Sequence, residues 1–263
     1  MFNFCSLYSG SSGNCSLIET DHSKILVDAG NSSKKIDAAL KENSINISDI
    51  DAILVTHEHS DHIRSVGTIS SKYNIPVYAN KETWLAMPEQ SQKVSDNCKK
   101  VFEINSDFEI KDLKVRPFSI PHDAANPCGF NFFHDEKKLS IATDVGHITD
   151  DIIENLIKSQ FALLEANYDP NILKYSRYPY LLKQRISGPN GHLSNNESGN
   201  LVSLLIKSGL KTALLGHLSK ENNFPELAYK TVVEELMRHH YDENAISIGV
   251  AKRDGPSKLI HIA

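Results

Sequence analysis

Apolar residues in this chain fall into short runs separated by turn formers and amphipathic stretches. Residues 2–8, 15–20 and 24–28 are β-prone runs broken by Ser9-Gly10-Ser11-Ser12-Gly13-Asn14 and Asp21-His22-Ser23, which predicts a strand meander. Ser32 or Ser33 caps a helix to about Asn43, with Ile36, Ala39 and Leu40 at helical spacing. The run from Ala52 to Val55 reads as a buried strand, followed by helix over 63–73, strand over 76–79 and helix over 82–87. Successive strands come next, at 99–104, 107–110, 113–120, 129–134 and 138–142. Alternation returns after Asp144 with a helix over 149–158, a buried strand over 161–165, and a stretch over 170–191 without a clear period. Ser194-Asn195-Asn196-Glu197 is a capping box opening a helix to about Lys207, and Pro225 starts a helix over 225–240. Strands over 211–215, 246–250 and 258–262 complete the pattern. The rhythm repeats in two halves, about 1–125 and 126–263, and predicts one α/β domain over 1–263 with helices on the outside of the sheets.

The candidate chemistry collects at strand ends. Directly after Val55 stands Thr56-His57-Glu58-His59-Ser60-Asp61-His62, three imidazoles and a carboxylate in six residues. His57 and His59, two apart, can face one cation, while Asp61 and His62 continue the turn and can face another. A pair of ions needs further donors, and three more residues end apolar runs: His122, Asp144 and His217. Asp28, closing the third strand, can orient a ligand imidazole through a hydrogen bond. His147, three residues past Asp144, is a further candidate. The Ser9–Asn14 loop is either a permissive turn or an anion-binding turn of backbone N–H groups.

Two adjacent ions about 3.5–4 Å apart can generate hydroxide near neutral pH and stabilise entering and leaving oxygens, which leaves esters, thioesters, lactones and phosphodiesters all open. Glu165 at a strand end and His192 before the capped helix point to phosphodiesters, because a carboxylate that keeps an imidazole protonated supplies the acid a poor alkoxide leaving group needs. Between them, residues 170–191 carry Lys174, Tyr175, Arg177, Tyr178, Tyr180, Lys183 and Arg185 and no acid, a pattern suited to phosphates and stacked bases or to a solvated surface segment. Asn222 and Asn223, just past His217, either contact substrate or satisfy backbone groups.

Bulk composition changes this picture little. The 263 residues carry a net charge of -5, which favours solubility without announcing a nucleic-acid partner, although a local basic patch can overrule the average. Four cysteines, Cys5, Cys15, Cys98 and Cys128, show no CxxC spacing, against both a zinc ribbon and a disulfide framework. No apolar run is long enough for a membrane span and the opening residues do not read as a signal peptide, so a cytoplasmic protein is expected.

His57-Glu58-His59-Ser60-Asp61-His62 resembles the HxHxDH signature of the metallo-β-lactamase superfamily. That resemblance implies His57, His59 and His122 on one ion, Asp61, His62 and His217 on a second, Asp144 between them and Asp28 in support. Nitrogen and carboxylate donors suit zinc, and manganese or iron are tolerated. The Glu165 and His192 elements resemble the RNase Z branch, implying a proton shuttle. His122-Asp123-Ala124, Gly191-His192-Leu193-Ser194-Asn195 and His217-Leu218-Ser219-Lys220-Glu221-Asn222-Asn223 resemble the WalJ/YycJ family of bacterial metallo-β-lactamase-fold proteins. This implies a four-layer αββα sandwich and a 5'-to-3' DNA exonuclease linked to DNA repair or cell-wall signalling. Catalysis would then fall to Asp61, Glu165 and His192, and DNA contacts to Lys174, Arg177, Tyr178, Lys183, Arg185 and Asn222. The alternatives are a hydrolase of small cyclic phosphates, thioesters or lactones, for which the basic residues would be dispensable, and a non-catalytic metal-stabilised scaffold.

Overall fold

Strands that are apolar on both faces need cover on both sides, and that requirement sets the architecture. The computed structural model describes residues 1–242 and 244–262. One sheet has the order β14-β1-β2-β3-β4-β5-β6, built from β1 (Phe2–Tyr8), β2 (Cys15–Thr20), β3 (Lys24–Val27), β4 (Ala52–Leu54), β5 (Val77–Ala79), β6 (Lys99–Val101) and β14 (Ile260–His261). The other has the order β13-β12-β11-β10-β9-β8-β7, from β7 (Phe108–Ile110), β8 (Leu113–Ser119), β9 (Cys128–His134), β10 (Lys137–Ala142), β11 (Phe161–Glu165), β12 (Thr212–Gly216) and β13 (Ser247–Val250). The helices are α1 (Ser33–Glu42), α2 (Ser60–Ile63), α3 (Val66–Tyr73), α4 (Lys81–Ala86), α5 (Asp150–Leu156), α6 (Pro170–Tyr175), α7 (Tyr180–Ile186), α8 (Asn195–Ile206) and α9 (Pro225–Arg238).

Side chains alternate across each strand and divide the interior into three apolar layers. Phe2 and Phe4 of β1, Ile25 and Val27 of β3, and Phe161 and Leu163 of β11 meet between the sheets. Leu7, Leu26 and Ile53 pack outward with Ile36 and Leu40 of α1 and Ile69 of α3. Ala162, Leu164 and Leu215 pack the opposite way with Leu156 of α5, Leu201 of α8 and Val232 of α9. This is the αββα sandwich expected from the sequence. Phe130, fully buried between the sheets, has no alternative partner, and truncating such a ring to alanine typically costs about 3–5 kcal/mol.

Three local expectations shift. The predicted strand over 99–104 stops at Val101, and the following residues carry the chain from one sheet to the other. The helix over 63–73 is two helices, with Ser60–Ile63 forming a separate turn that carries Asp61 and His62. The unassigned stretch 170–191 contains α6 and α7, separated because Pro179 disfavours helical backbone at Tyr178. Strands β3 to β6 run parallel, as do β10 to β13; the segments that follow β4, β8, β10 and β12 carry the candidate ligands, Asp28 follows β3 and Glu165 ends β11. Among the described residues no helix is long and apolar enough to cross a membrane.

Candidate metal centre

The structure brings the strand-end residues together. One donor atom from each of His57, His59 and His122 lies within 4.8 Å of the others, and the same holds for Asp61, His62 and His217, and for His57, His62 and Asp144. Asp144 is central: its Oδ1 lies 3.3 Å from Nδ1 of His217, 3.7 Å from Nε2 of His122 and 3.8 Å from Nδ1 of His192, while its Oδ2 lies 3.3 Å from Nε2 of His62.

In several of these imidazoles one ring nitrogen is held by the protein. Asp28 Oδ2 is 2.7 Å from Nδ1 of His62 and also accepts from the Thr56 hydroxyl at 2.9 Å; its Oδ1 accepts from the Thr56 backbone N–H at 2.9 Å. The Thr56 hydroxyl is 3.0 Å from Nδ1 of His57, and the Gly191 carbonyl is 3.0 Å from Nδ1 of His122. Glu165 Oε1 contacts Nδ1 of His217 at 2.7 Å and Nδ1 of His192 at 2.9 Å, and its Oε2 accepts backbone N–H groups of Val145 and Leu193. In three of these rings the opposite nitrogen is free. Nε2 of His57, His122 and His217 and Oδ2 of Asp144 are buried with no hydrogen-bond partner among the described residues. An unsatisfied buried polar atom costs about 1–3 kcal/mol, so four of them converging on one point fit a cation.

Electrostatics agree. Burial, reinforced by the surrounding imidazoles, pushes His57 far below the usual histidine range, and burial lowers His122, keeping both in the neutral form that ligates metals. Burial alone would also lower His62, but Asp144, Asp28 and Asp61 raise it to about 9. Burial opposes the ionised form of Asp61, yet His62 and His217 hold it well below the carboxylate range. Surplus negative potential of this kind attracts cations.

Backbone strain accompanies the site. Asp28 (φ 62), Asp144 (φ 61) and His217 (φ 55) all adopt left-handed backbone immediately or shortly after a strand, at a cost of about 1–3 kcal/mol each. The turns aim these side chains across the strand ends instead of along them. Gly30 serves a different need: a Cβ there would lie 1.5 Å from the carbonyl oxygen of Asp61. Gly30→Ala is therefore expected to destabilise the fold by about 3 kcal/mol, a fall of about 10 °C in Tm in a thermal melt.

Sequence reasoning missed the residues that brace the ligands. Asn14 lies in the serine–glycine loop, and its amide Nδ2 approaches Nε2 of His62 at 3.0 Å and Oδ2 of Asp61 at 3.2 Å. The N–H groups of Gly10, Gly13 and Asn14 are occupied by Asn14 Oδ1, the Gly10 carbonyl and the Asp61 carbonyl, and Ser11 at the tip of the turn lines the cavity over the cluster. Ser9 accepts the backbone N–H of His217, and Asn167 donates to the His217 carbonyl. These small polar residues carry no distinguishing sequence signal.

Other candidates separate. A cavity of about 230 Å³ opens over the cluster, with His59, Asp61, His122, Asp144, His192 and His217 on one side and Tyr178, Leu182, Arg185 and Ile186 on the other. Arg185 pairs with Asp123 at 2.5 Å, and Lys174 and Arg177 are exposed. Two of the residues expected at the substrate are engaged within the protein. Lys183 turns its ammonium onto the carbonyls of Lys174 (2.8 Å) and Ser176 (2.7 Å), tying α7 to the end of α6. Asn222 is fully buried and its amide meets the Ser219 hydroxyl within its own turn. Asn223 likewise serves the backbone of Ala166 and Asn167. His147 is exposed against the Pro189 carbonyl, outside the cluster.

Asp28→Asn is expected to lower metal affinity 10- to 100-fold. An amide has one acceptor oxygen where the carboxylate serves Thr56 and His62 with two, so His62 loses its support. Metal titration followed by activity checks this, with excess metal restoring turnover.

Comparison with known proteins finds relatives over most of the chain. The exodeoxyribonuclease WalJ of Streptococcus pneumoniae (serotype 2, strain D39) is 41% identical over 237 residues, 89% of this chain and 88% of that protein. The exodeoxyribonuclease YycJ of Bacillus anthracis is 38% identical over 250 residues, 95% and 92% of the two chains. The metallo-beta-lactamase fold protein YhfI of Bacillus subtilis superposes with a TM-score of 0.72 over 98% of this chain and 100% of its own, at 15% identity, which concerns the fold alone. Residues 8–217 match the sequence model of the Metallo-beta-lactamase superfamily, a span that ends on His217, and this chain belongs to that superfamily.

Proposed function

We propose that this protein is a dinuclear metal-dependent exodeoxyribonuclease that removes nucleotides from DNA in the 5'-to-3' direction. The observation that carries the reading is the convergence of unpartnered buried donors on Asp144 beneath an open cavity. His57, His59 and His122 would hold one ion and Asp61, His62 and His217 the other, with Asp144 shared and zinc or manganese as the fitting metals. When bound, the pair of cations supplies acidification of water and charge neutralisation at the phosphoryl oxygens. The two relatives with nuclease names align over most of their length, which supports DNA as substrate.

The chain's own residues perform the remaining tasks. Asp61 is ionised and faces the cavity, so it can accept a hydrogen bond from the attacking water and orient it. Glu165, 2.9 Å from Nδ1, raises His192 against its burial, and the ring lines the cavity, where it is placed to give a proton to the departing oxygen. Glu165, held low by His192 and His217 against the pull of burial, remains an acceptor and fixes both rings at once. Lys174 and Arg177 offer exposed positive charge beside Tyr178 for the phosphate backbone.

The test is cleavage of DNA and RNA labelled at the 5' end, single-stranded and duplex, with zinc and with manganese. Release of labelled mononucleotide from DNA as the first product supports the reading. Internal cuts, or turnover confined to small esters, would replace it.

A further inference from the structure

The arm formed by α6 and α7 has an unusual surface. No residue of α7 is buried, and Leu173 is the buried residue of α6. Tyr175 (77%), Tyr180 (71%) and Leu181 (76%) are among the most exposed large side chains of the molecule. Core burial therefore does not explain why this segment is rich in rings. Between the two helices lies a cavity of about 550 Å³, within the range of ligand sites, with Tyr168, Leu173, Tyr178 and Tyr180 in its walls. Tyr178 also lines the cavity over the metal cluster, so the two spaces adjoin at that residue. Among the described residues neither Tyr178 nor Tyr180 packs against another aromatic ring, which leaves ring faces unpaired.

We infer that the α6–α7 cleft binds an unpaired nucleobase of the substrate strand, stacked on Tyr178 and Tyr180, next to the nucleotide being hydrolysed. This rests on the nuclease reading and specifies it: the strand is single at the active site, and recognition of the base is by its face instead of its edge. Charge argues for a polyanion there. The stretch from Pro170 to Gly191 contains four cations and no carboxylate. Two of the cations are taken up internally, Lys183 by carbonyls and Arg185 by Asp123, whereas Lys174 and Arg177 remain exposed at the arm. Phosphates can therefore run past Lys174 and Arg177 while the base enters the cleft. Base–aromatic stacking tolerates every base, as an enzyme that travels along a strand requires.

The test uses single-stranded oligodeoxynucleotides with an abasic site or 2-aminopurine at each of the first four positions. An abasic site at one position is expected to raise KM about tenfold with kcat nearly unchanged, and 2-aminopurine at that same position should change its fluorescence on binding in the presence of a chelator. Tyr180→Ala should erase both effects, and Tyr180→Phe should keep them. Tyr180 is exposed and α7 buries nothing, so the variant is expected to fold, and its turnover of the oligonucleotide that is abasic at that position should stay at the wild-type level. DNA cleavage indifferent to abasic sites and to Tyr180→Ala would overturn the inference and leave the nuclease reading standing. Equal losses on intact DNA and on the abasic oligonucleotide would reduce the arm to a structural role. A change of oligomeric state in Tyr180→Ala without any base effect would make the arm a protein contact. Absence of DNA binding and cleavage in the wild type would remove both readings together.

Discussion

Exchanging Asp144 for asparagine is expected to slow DNA hydrolysis by at least about 10³-fold, equivalent to about 4 kcal/mol of lost barrier lowering. The shape of the side chain is preserved, so the fold should remain intact. What disappears is the negative charge that faces His62, His122, His192 and His217 within 3.3 to 3.8 Å, a carboxylate adjoining both groups of donors. Both groups should weaken together, and metal analysis should find less bound metal per chain. An activity within tenfold of the wild type would mean that Asp144 stands beside the chemistry instead of at its centre.

The second large effect belongs to His192. His192→Ala is expected to lower kcat on DNA by about 10²- to 10⁴-fold while bound metal stays at the wild-type level, because this ring is read as a proton donor and not as a ligand. Its Nδ1 points at Glu165, and Glu165 Oε1 already serves a second imidazole, so that carboxylate is not an open donor for a cation. The loss should shrink on a p-nitrophenyl ester, whose leaving group departs without a proton. Equal losses on both substrates would show that His192 acts by positioning. Glu165→Gln should reproduce the His192 defect and add a loss of metal, since the same oxygen steadies His217.

Much of this site is legible in the chain because its ligands are of rare types at strand ends. Three histidines and an aspartate crowd the turn directly after a buried strand, where burial would penalise them without a cation to bind, and His122, Asp144 and His217 each follow an apolar run. The bracing residues are not legible. Asn14, Thr56 and Ser9 act through hydrogen bonds across strand tips, and their types are common in any turn. The left-handed turn at His217 carries no sequence mark either, since histidine there is held by the packing around it. Glu165 is legible as the partner of His192 but not as the partner of His217, because that contact depends on β11 and β12 lying side by side. The basic segment is legible only in part. Lys183 has the charge for a phosphate, but the turn between α6 and α7 brings two carbonyls closer to it. Asn222, close in sequence to His217, is buried inside its own turn against the Ser219 hydroxyl.

The two-ion arrangement is tested most directly by diffraction from metal-loaded crystals at the absorption edge of zinc or manganese. Two anomalous peaks are expected, one bounded by His57, His59 and His122 and the other by Asp61, His62 and His217, with the Asp144 carboxylate between them. A single peak, or ions bound away from these side chains, would contradict it.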